Sequence, residues 1–136
     1  MVAYADSSAL VKLAHRERHS EALIGWLESR SDIVLVSSVL AEVELLRALQ
    51  RYDSAALPQV PAVLARLVRI EISSTVRAIA GAFQHEMLRT LDAIHLATAR
   101  YLVTAGMNID WFVGYDARLL ALAEAEALRV VSPGIG

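Results

Sequence analysis

Three short apolar runs of this chain each end on an acid: Val2-Ala3-Tyr4-Ala5-Asp6, the segment reaching Leu91-Asp92, and Trp111-Phe112-Val113-Gly114-Tyr115-Asp116. A fourth acid, Glu44, interrupts the otherwise apolar stretch Val43-Glu44-Leu45-Leu46. Burying one carboxylate is costly, and clustering several is worse unless a cation shares the site. Each acid also has a plain structural use. Asp116 can cap the helix that follows it, Asp92 can sit at the positive end of a helix dipole, and Asp6 can be a turn residue before Ser7 and Ser8. Glu42 competes with Glu44 from a different helix face. His95, one turn after Asp92, is either a donor supporting the acids or a satisfied core residue.

Oxygen ligands without cysteine or paired histidine select hard cations, Mg²⁺ first and Mn²⁺ as a substitute. Such ions activate water and neutralise charge building on a phosphate, which points to phosphodiester hydrolysis. Phosphoaspartyl enzymes fit poorly. Phosphatases of the haloacid-dehalogenase type need a second Asp where Ser8 stands, and receiver domains need a Lys near the last strand, whereas the single Lys is Lys12.

The elements that must position these acids follow from hydrophobic periodicity. Strands are predicted over residues 2–5, 33–36, 68–72, 111–115 and 129–131. Helices are predicted from a Ser7 or Ser8 cap through residue 14, over 20–28, from Ser37 or Ser38 onward, over 62–67 and 76–87, over 91–105 behind a Thr90 cap, and over 116–127. Residues 52–61, with Asp53, Ser54, Pro58 and Pro61, read as a loop. Short apolar strands alternating with helices indicate an α/β domain with a mainly parallel sheet. The carboxyl ends of parallel strands share one edge, where ligands bind in open α/β sheets. Asp6 and Asp116 directly follow strands, Asp92 starts a helix, and Glu44 is expected about two turns into the helix opened by Ser37 or Ser38. The acids are scattered in sequence but placed to meet.

Bulk composition narrows the function classes. At 136 residues the chain is expected to be one domain, and 56% hydrophobic content with 21% charged residues argues against disorder. The most apolar region, residues 33–46, is broken by Ser37, Ser38, Glu42 and Glu44, so no membrane span is expected. With no visible signal peptide and no cysteine, a cytoplasmic location fits. A net charge of −2 gives no global attraction to nucleic acid, yet the cations are twelve Arg to one Lys, which permits a local Arg-lined surface. A mean hydropathy of +0.44 implies a large core or an apolar surface that meets a partner.

These residues resemble the PIN-domain ribonucleases, in particular the VapC toxins of bacterial type II toxin–antitoxin systems, over nearly the whole chain. Tyr4-Ala5-Asp6-Ser7-Ser8-Ala9-Leu10 resembles the family's opening, with Ser7 for the common Thr. Val43-Glu44-Leu45-Leu46-Arg47 resembles the second block and selects Glu44 over Glu42. Leu91-Asp92-Ala93-Ile94-His95-Leu96-Ala97 resembles the third, and is the most specific of them. Gly114-Tyr115-Asp116 resembles the fourth, except that Gly114 replaces the usual Thr, which puts the geometry around Asp116 in question. The ending Leu128-Arg129-Val130-Val131-Ser132-Pro133-Gly134 resembles the terminal strand.

The resemblance implies a single PIN domain over residues 1–136, a three-layer α/β/α domain with a mainly parallel sheet of about five strands. It implies a Mg²⁺-dependent endoribonuclease cutting structured RNA, tRNA or rRNA, and inhibiting translation. Asp6, Glu44, Asp92 and Asp116 would be its catalytic and metal-binding residues, with Asp6 and Asp92 the direct ligands and Arg47 a candidate for orienting the RNA backbone. It further implies a cognate VapB-type antitoxin that inserts near the active site, and a homodimer. The alternative is a PIN-like protein-binding module without nuclease activity.

Overall fold

A computed structural model describes residues 1–135. Among the described residues, β1 (Val2–Ala5), β2 (Val34–Ser38), β3 (Leu67–Ile70), β4 (Trp111–Val113) and β5 (Val130–Val131) form one sheet in the order β3-β2-β1-β4-β5. Every pairing is parallel. A parallel sheet is covered on both faces, which is why its strands read as short apolar runs. The chain winds outward from β1 through β2 to β3, then returns to place β4 on the other flank of β1. The winding therefore reverses between β1 and β4, and the ends of those two strands flank the crevice where open α/β sheets take ligands.

Side chains along β1 alternate between two cores, as a two-residue period requires. Ala3 and Ala5 join Leu35, Leu67 and Val113 against α1 (Ser7–Ala14), α2 (Ser20–Glu28), α3 (Ala41–Tyr52) and α4 (Val60–Ala65). Tyr4 joins Val36 and Phe112 against α6 (Thr90–Thr104) and α7 (Ala117–Ala125). The helix α5 (Ser74–Ala82) packs on α6. Tyr4 stacks on Phe112 with ring centroids 5.3 Å apart, and both are fully buried. The result is the expected three-layer α/β/α architecture.

Several boundaries differ from the sequence reading for identifiable reasons. Asp6, rather than Ser7 or Ser8, caps α1, because its carboxylate accepts from the Ala9 amide. Ser37 and Ser38 do not open a helix. They complete β2 with no solvent exposure, and the Ser37 hydroxyl donates to the Ala5 carbonyl at 2.7 Å. A hydroxyl satisfied by the neighbouring strand can lie in a sheet interior as readily as it caps a helix. In consequence α3 starts at Ala41 and Glu44 lies in its first turn. The expected loop over 52–61 holds a 3-10 segment, Ser54–Gln59, and Pro61 sits in the first turn of α4, where its missing N–H costs nothing. The helix predicted to residue 87 stops at Ala82, where Phe83 turns extended.

The Ser37 bond ties β2 to β1 just below Asp6. Ser37→Ala should lower unfolding stability by roughly 1 kcal/mol, the usual net value of one buried hydrogen bond. Urea denaturation would show a reduced midpoint at unchanged slope, and a wild-type midpoint would refute this role.

Candidate functional site

All four acids singled out in the sequence sit at the start of a helix. Asp6 is the N-cap of α1 and Asp116 the N-cap of α7, while Glu44 and Asp92 occupy the first turns of α3 and α6. Backbone amides and the positive dipole end make a helix start tolerant of negative charge. The capping reading holds for Asp116, whereas Asp6, read as a turn residue, is a cap as well, and each of the two caps keeps a spare oxygen. Asp6 spends Oδ1 on the Ser8 hydroxyl at 2.6 Å and the Ala9 amide at 3.1 Å. Asp116 spends Oδ1 on the Arg118 amide at 2.9 Å and the Leu119 amide at 3.3 Å. Capping is what orients these carboxylates.

Glu44 is held differently. Its Oε1 lies 2.6 Å from His95 Nε2, and its Oε2 accepts a long bond of 3.4 Å from the Ser7 hydroxyl. Glu42, the sequence competitor, points elsewhere and pairs with Arg69 at 3.0 Å on the surface. Glu44, and not Glu42, therefore faces His95 and Ser7.

The electrostatics link all four acids. Asp6 is only 2% exposed, and burial pushes its carboxyl up to about 6. The Ser8 bond and the field of His95 partly offset this rise, while the charge of Asp92 adds to it. Asp92 is also raised, first by burial and then by Asp116 and Glu44, against the opposing pull of Arg89 and His95. The acids are near enough to feel one another's charge. Yet among the described residues no group of three or more His, Asp or Glu side chains is arranged to hold a metal ion. They share a field without forming a closed cage.

Sequence reasoning missed the residue that joins the two central strand ends. Ser8 Oγ donates to Asp6 and also accepts from the Tyr115 amide at 2.9 Å, so one hydroxyl locks the end of β1 to the segment after β4. The signal was a Ser two residues after an Asp at a helix start, which also reads as an ordinary cap. Gly114 likewise acts on a different acid from the one the sequence suggested. A Cβ added there would lie 2.6 Å from Asp6 Oδ2 and 2.9 Å from its Cγ. The departure from Thr thus bears on Asp6 before it bears on Asp116. A side chain at residue 114 and this placement of Asp6 exclude each other, and Ser8 supplies Asp6 with a hydroxyl instead.

Gly114→Ala and Gly114→Thr should both displace the Asp6 carboxylate, because Ser8 and the Ala9 amide hold it against retreat. The expected cost is about 1–3 kcal/mol, the usual range for overpacking a buried site. Thermal unfolding of the two variants measures it, and wild-type stability in both would mean that Asp6 swings aside freely.

The PIN domain family profile matches residues 3–124. The chain is 48% identical over 133 residues to Ribonuclease VapC35 of Mycobacterium tuberculosis, covering 96% of each. It is 40% identical over 130 residues to Ribonuclease VapC46 of the same organism, again covering 96% of each. In three dimensions it resembles a chain of the Rickettsia felis VapBC2 complex bound to a promoter DNA fragment, with a TM-score of 0.72, 13% identity, and coverage of 98% of this chain and 99% of that one. A second neighbour, from FitAB bound to a DNA fragment, has a TM-score of 0.53 at 17% identity, covering 100% and 97%. At those identities the structural likeness concerns the fold alone. Family membership rests instead on the profile and the sequence relatives, and by both this chain belongs to the PIN-domain family, within it to the VapC toxin ribonucleases.

Proposed function

We propose that the acids Asp6, Glu44, Asp92 and Asp116 form the active site of a metal-dependent endoribonuclease, with Mg²⁺ as its ion and Mn²⁺ able to replace it. The observation that carries this reading is the buried Asp6 carboxyl, raised to about 6 and coupled to a second raised acid, Asp92. Carboxylates held together against both burial and mutual repulsion lack positive charge, and a divalent ion supplies it. The donor set fits a hard cation in type, being carboxylate oxygen without thiolate. The open arrangement fits Mg²⁺, which keeps several waters and takes only one or two carboxylates.

When bound, the ion would polarise the scissile phosphate and a water beside it. The remaining work falls to side chains. Asp6 and Asp92 would hold the ion directly, and the Asp6 oxygen not used by the cap faces Gly114. Glu44 and Asp116 complete the negative rim. Arg47, Arg89 and Arg118 are exposed around the site and suit the RNA backbone, Arg89 already acting on Asp92. The substrate we propose is structured RNA, tRNA or rRNA, and the consequence is inhibited translation in the cytoplasm.

A VapB-type antitoxin is the proposed regulator. An apolar cleft of about 390 Å³ lined by Val11, Leu40, Val43 and Leu91 has Glu44 on its wall, so a segment seated there reaches the acids. The exposed Val43, Leu46 and Leu91 support such a partner or a homodimer.

Asp92→Asn and Asp6→Asn should each lower RNA cleavage by more than about a hundredfold, beyond the usual effect of residues that merely support a ligand. Full activity in Asp92→Asn would sink the assignment. If neither cleavage nor Mn²⁺ binding is found in the wild type, the chain is a binding module instead.

Metal-free stability gives an independent check. An acid with a raised folded-state value favours the fold only while protonated, so its contribution is fully present below the ordinary value of 3.8 and lost as pH rises through about 6. Ionised Asp6 should therefore depress metal-free stability at pH 7.5. Asp6→Asn, which keeps an oxygen for the Ala9 amide, should raise it by on the order of 2 kcal/mol while abolishing the stabilisation added by Mn²⁺. A lower melting temperature for Asp6→Asn at pH 7.5 would contradict the charge argument.

A further inference from the structure

We infer that Tyr4 and His95 form a buried positioning pair that aims Glu44 into the acid site, with Oε1 committed to His95 and Oε2 held only by the long Ser7 bond. The inference rests on the proposed metal-nuclease site and concerns residues outside its ligand set. Tyr4 is fully buried and His95 is 1% exposed. Both ring nitrogens of His95 are engaged: Nδ1 lies 2.7 Å from the Tyr4 hydroxyl and Nε2 lies 2.6 Å from Glu44 Oε1.

The direction of these bonds follows from what each partner can do. Ionised Glu44 only accepts, so Nε2 carries a hydrogen and donates to it. Burial raises the Tyr4 phenol far above its ordinary value, so it keeps its proton. A neutral ring then accepts the Tyr4 O–H at Nδ1, and a charged ring donates to the Tyr4 oxygen from the same atom. In both cases Nε2–H points at Glu44. Tyr4 thus fixes the ring for the donor that Glu44 needs, as outer partners fix imidazoles around metal sites.

The pair is itself held rigidly. Tyr4 stacks on Phe112 and meets the His95 ring edge-on at 5.8 Å. The neighbouring hydroxyls are committed, Ser37 to the Ala5 carbonyl at 2.7 Å and Thr98 to the Ile94 carbonyl at 2.6 Å. Glu44 reaches across from α3, the opposite layer to α6, with 15% of its side chain exposed. The contact therefore joins the two helical layers over the carboxyl edge of the sheet. A merely satisfied core histidine would have no need of a partner on the acid rim.

The test compares full-length wild type, Tyr4→Phe and His95→Leu in the metal-free state, with Mn²⁺ as the probe and calorimetry as the readout. Tyr4→Phe removes one oxygen and keeps the ring that stacks on Phe112, so it stays decisive if His95→Leu fails to fold. Both variants should bind Mn²⁺ about 10- to 100-fold more weakly, the range for residues that orient ligands. In RNA cleavage Tyr4→Phe should lower kcat and leave KM unchanged. Wild-type Mn²⁺ affinity in Tyr4→Phe, even with a lowered melting temperature, would reduce the pair to a structural role and overturn the inference alone. A wild type that binds no Mn²⁺ would overturn the metal-nuclease reading and this inference with it.

Discussion

A carboxylate held at 2% exposure on the end of the central strand is the constraint from which the rest of the site follows. Asp6 cannot be placed there without donors, and the chain provides them locally through Ser8 and the Ala9 amide. It cannot be placed there beside a bulky neighbour, so residue 114 is a glycine. Nor can it be reached from the wrong edge of the sheet. β1 lies between β2 and β4, and the winding reverses at its flank, so the ends of β1 and β4 open together. One hydroxyl, that of Ser8, spans the junction and fixes Asp6 relative to Tyr115, next to Asp116.

Structure and chemistry are often weighed as rival explanations for an acid at a helix start. Here the same bonds serve both. A cap uses one carboxylate oxygen and holds the other in a defined direction, as Asp6 and Asp116 show. The helix dipoles of α1, α3, α6 and α7 lower the cost of negative charge at four places, without adding a counter-charge within the site. What remains is the cost of burial first and mutual repulsion second, both of which raise Asp6 and Asp92.

Much of this was legible in sequence because it depends on local rules. Apolar runs ending in acids located β1 and β4, and the alternation of strands with helices implied the parallel sheet and its shared edge. The family blocks then selected Glu44. What was illegible depended on contacts between distant segments. Ser37 looks like a cap until the Ala5 carbonyl beside it is known. Glu44 seemed two turns into its helix because that helix was started at those serines. His95 stood between two readings because its partners, Tyr4 and Glu44, lie 91 and 51 residues away. Gly114 was assigned to its sequence neighbour Asp116, whereas the close approach that requires it runs to Asp6 across the β1–β4 junction.

The same junction explains why residue 114 carries no side chain. A threonine at residue 114 would bring a hydroxyl into the crevice and a Cβ with it. The Cβ is incompatible with Asp6 as placed, since Oδ2 occupies that space. With glycine there, the carboxylate has room beside β4, where Ser8 meets both Asp6 and the Tyr115 amide. The backbone at Gly114 stays fixed without a side chain. Its N–H donates to the Val131 carbonyl at 3.2 Å and its own carbonyl accepts from the Ser132 hydroxyl at 2.6 Å. The glycine at residue 114 and the closeness of Asp6 are thus one arrangement. Any side chain at residue 114 would require Asp6 to give up its present placement.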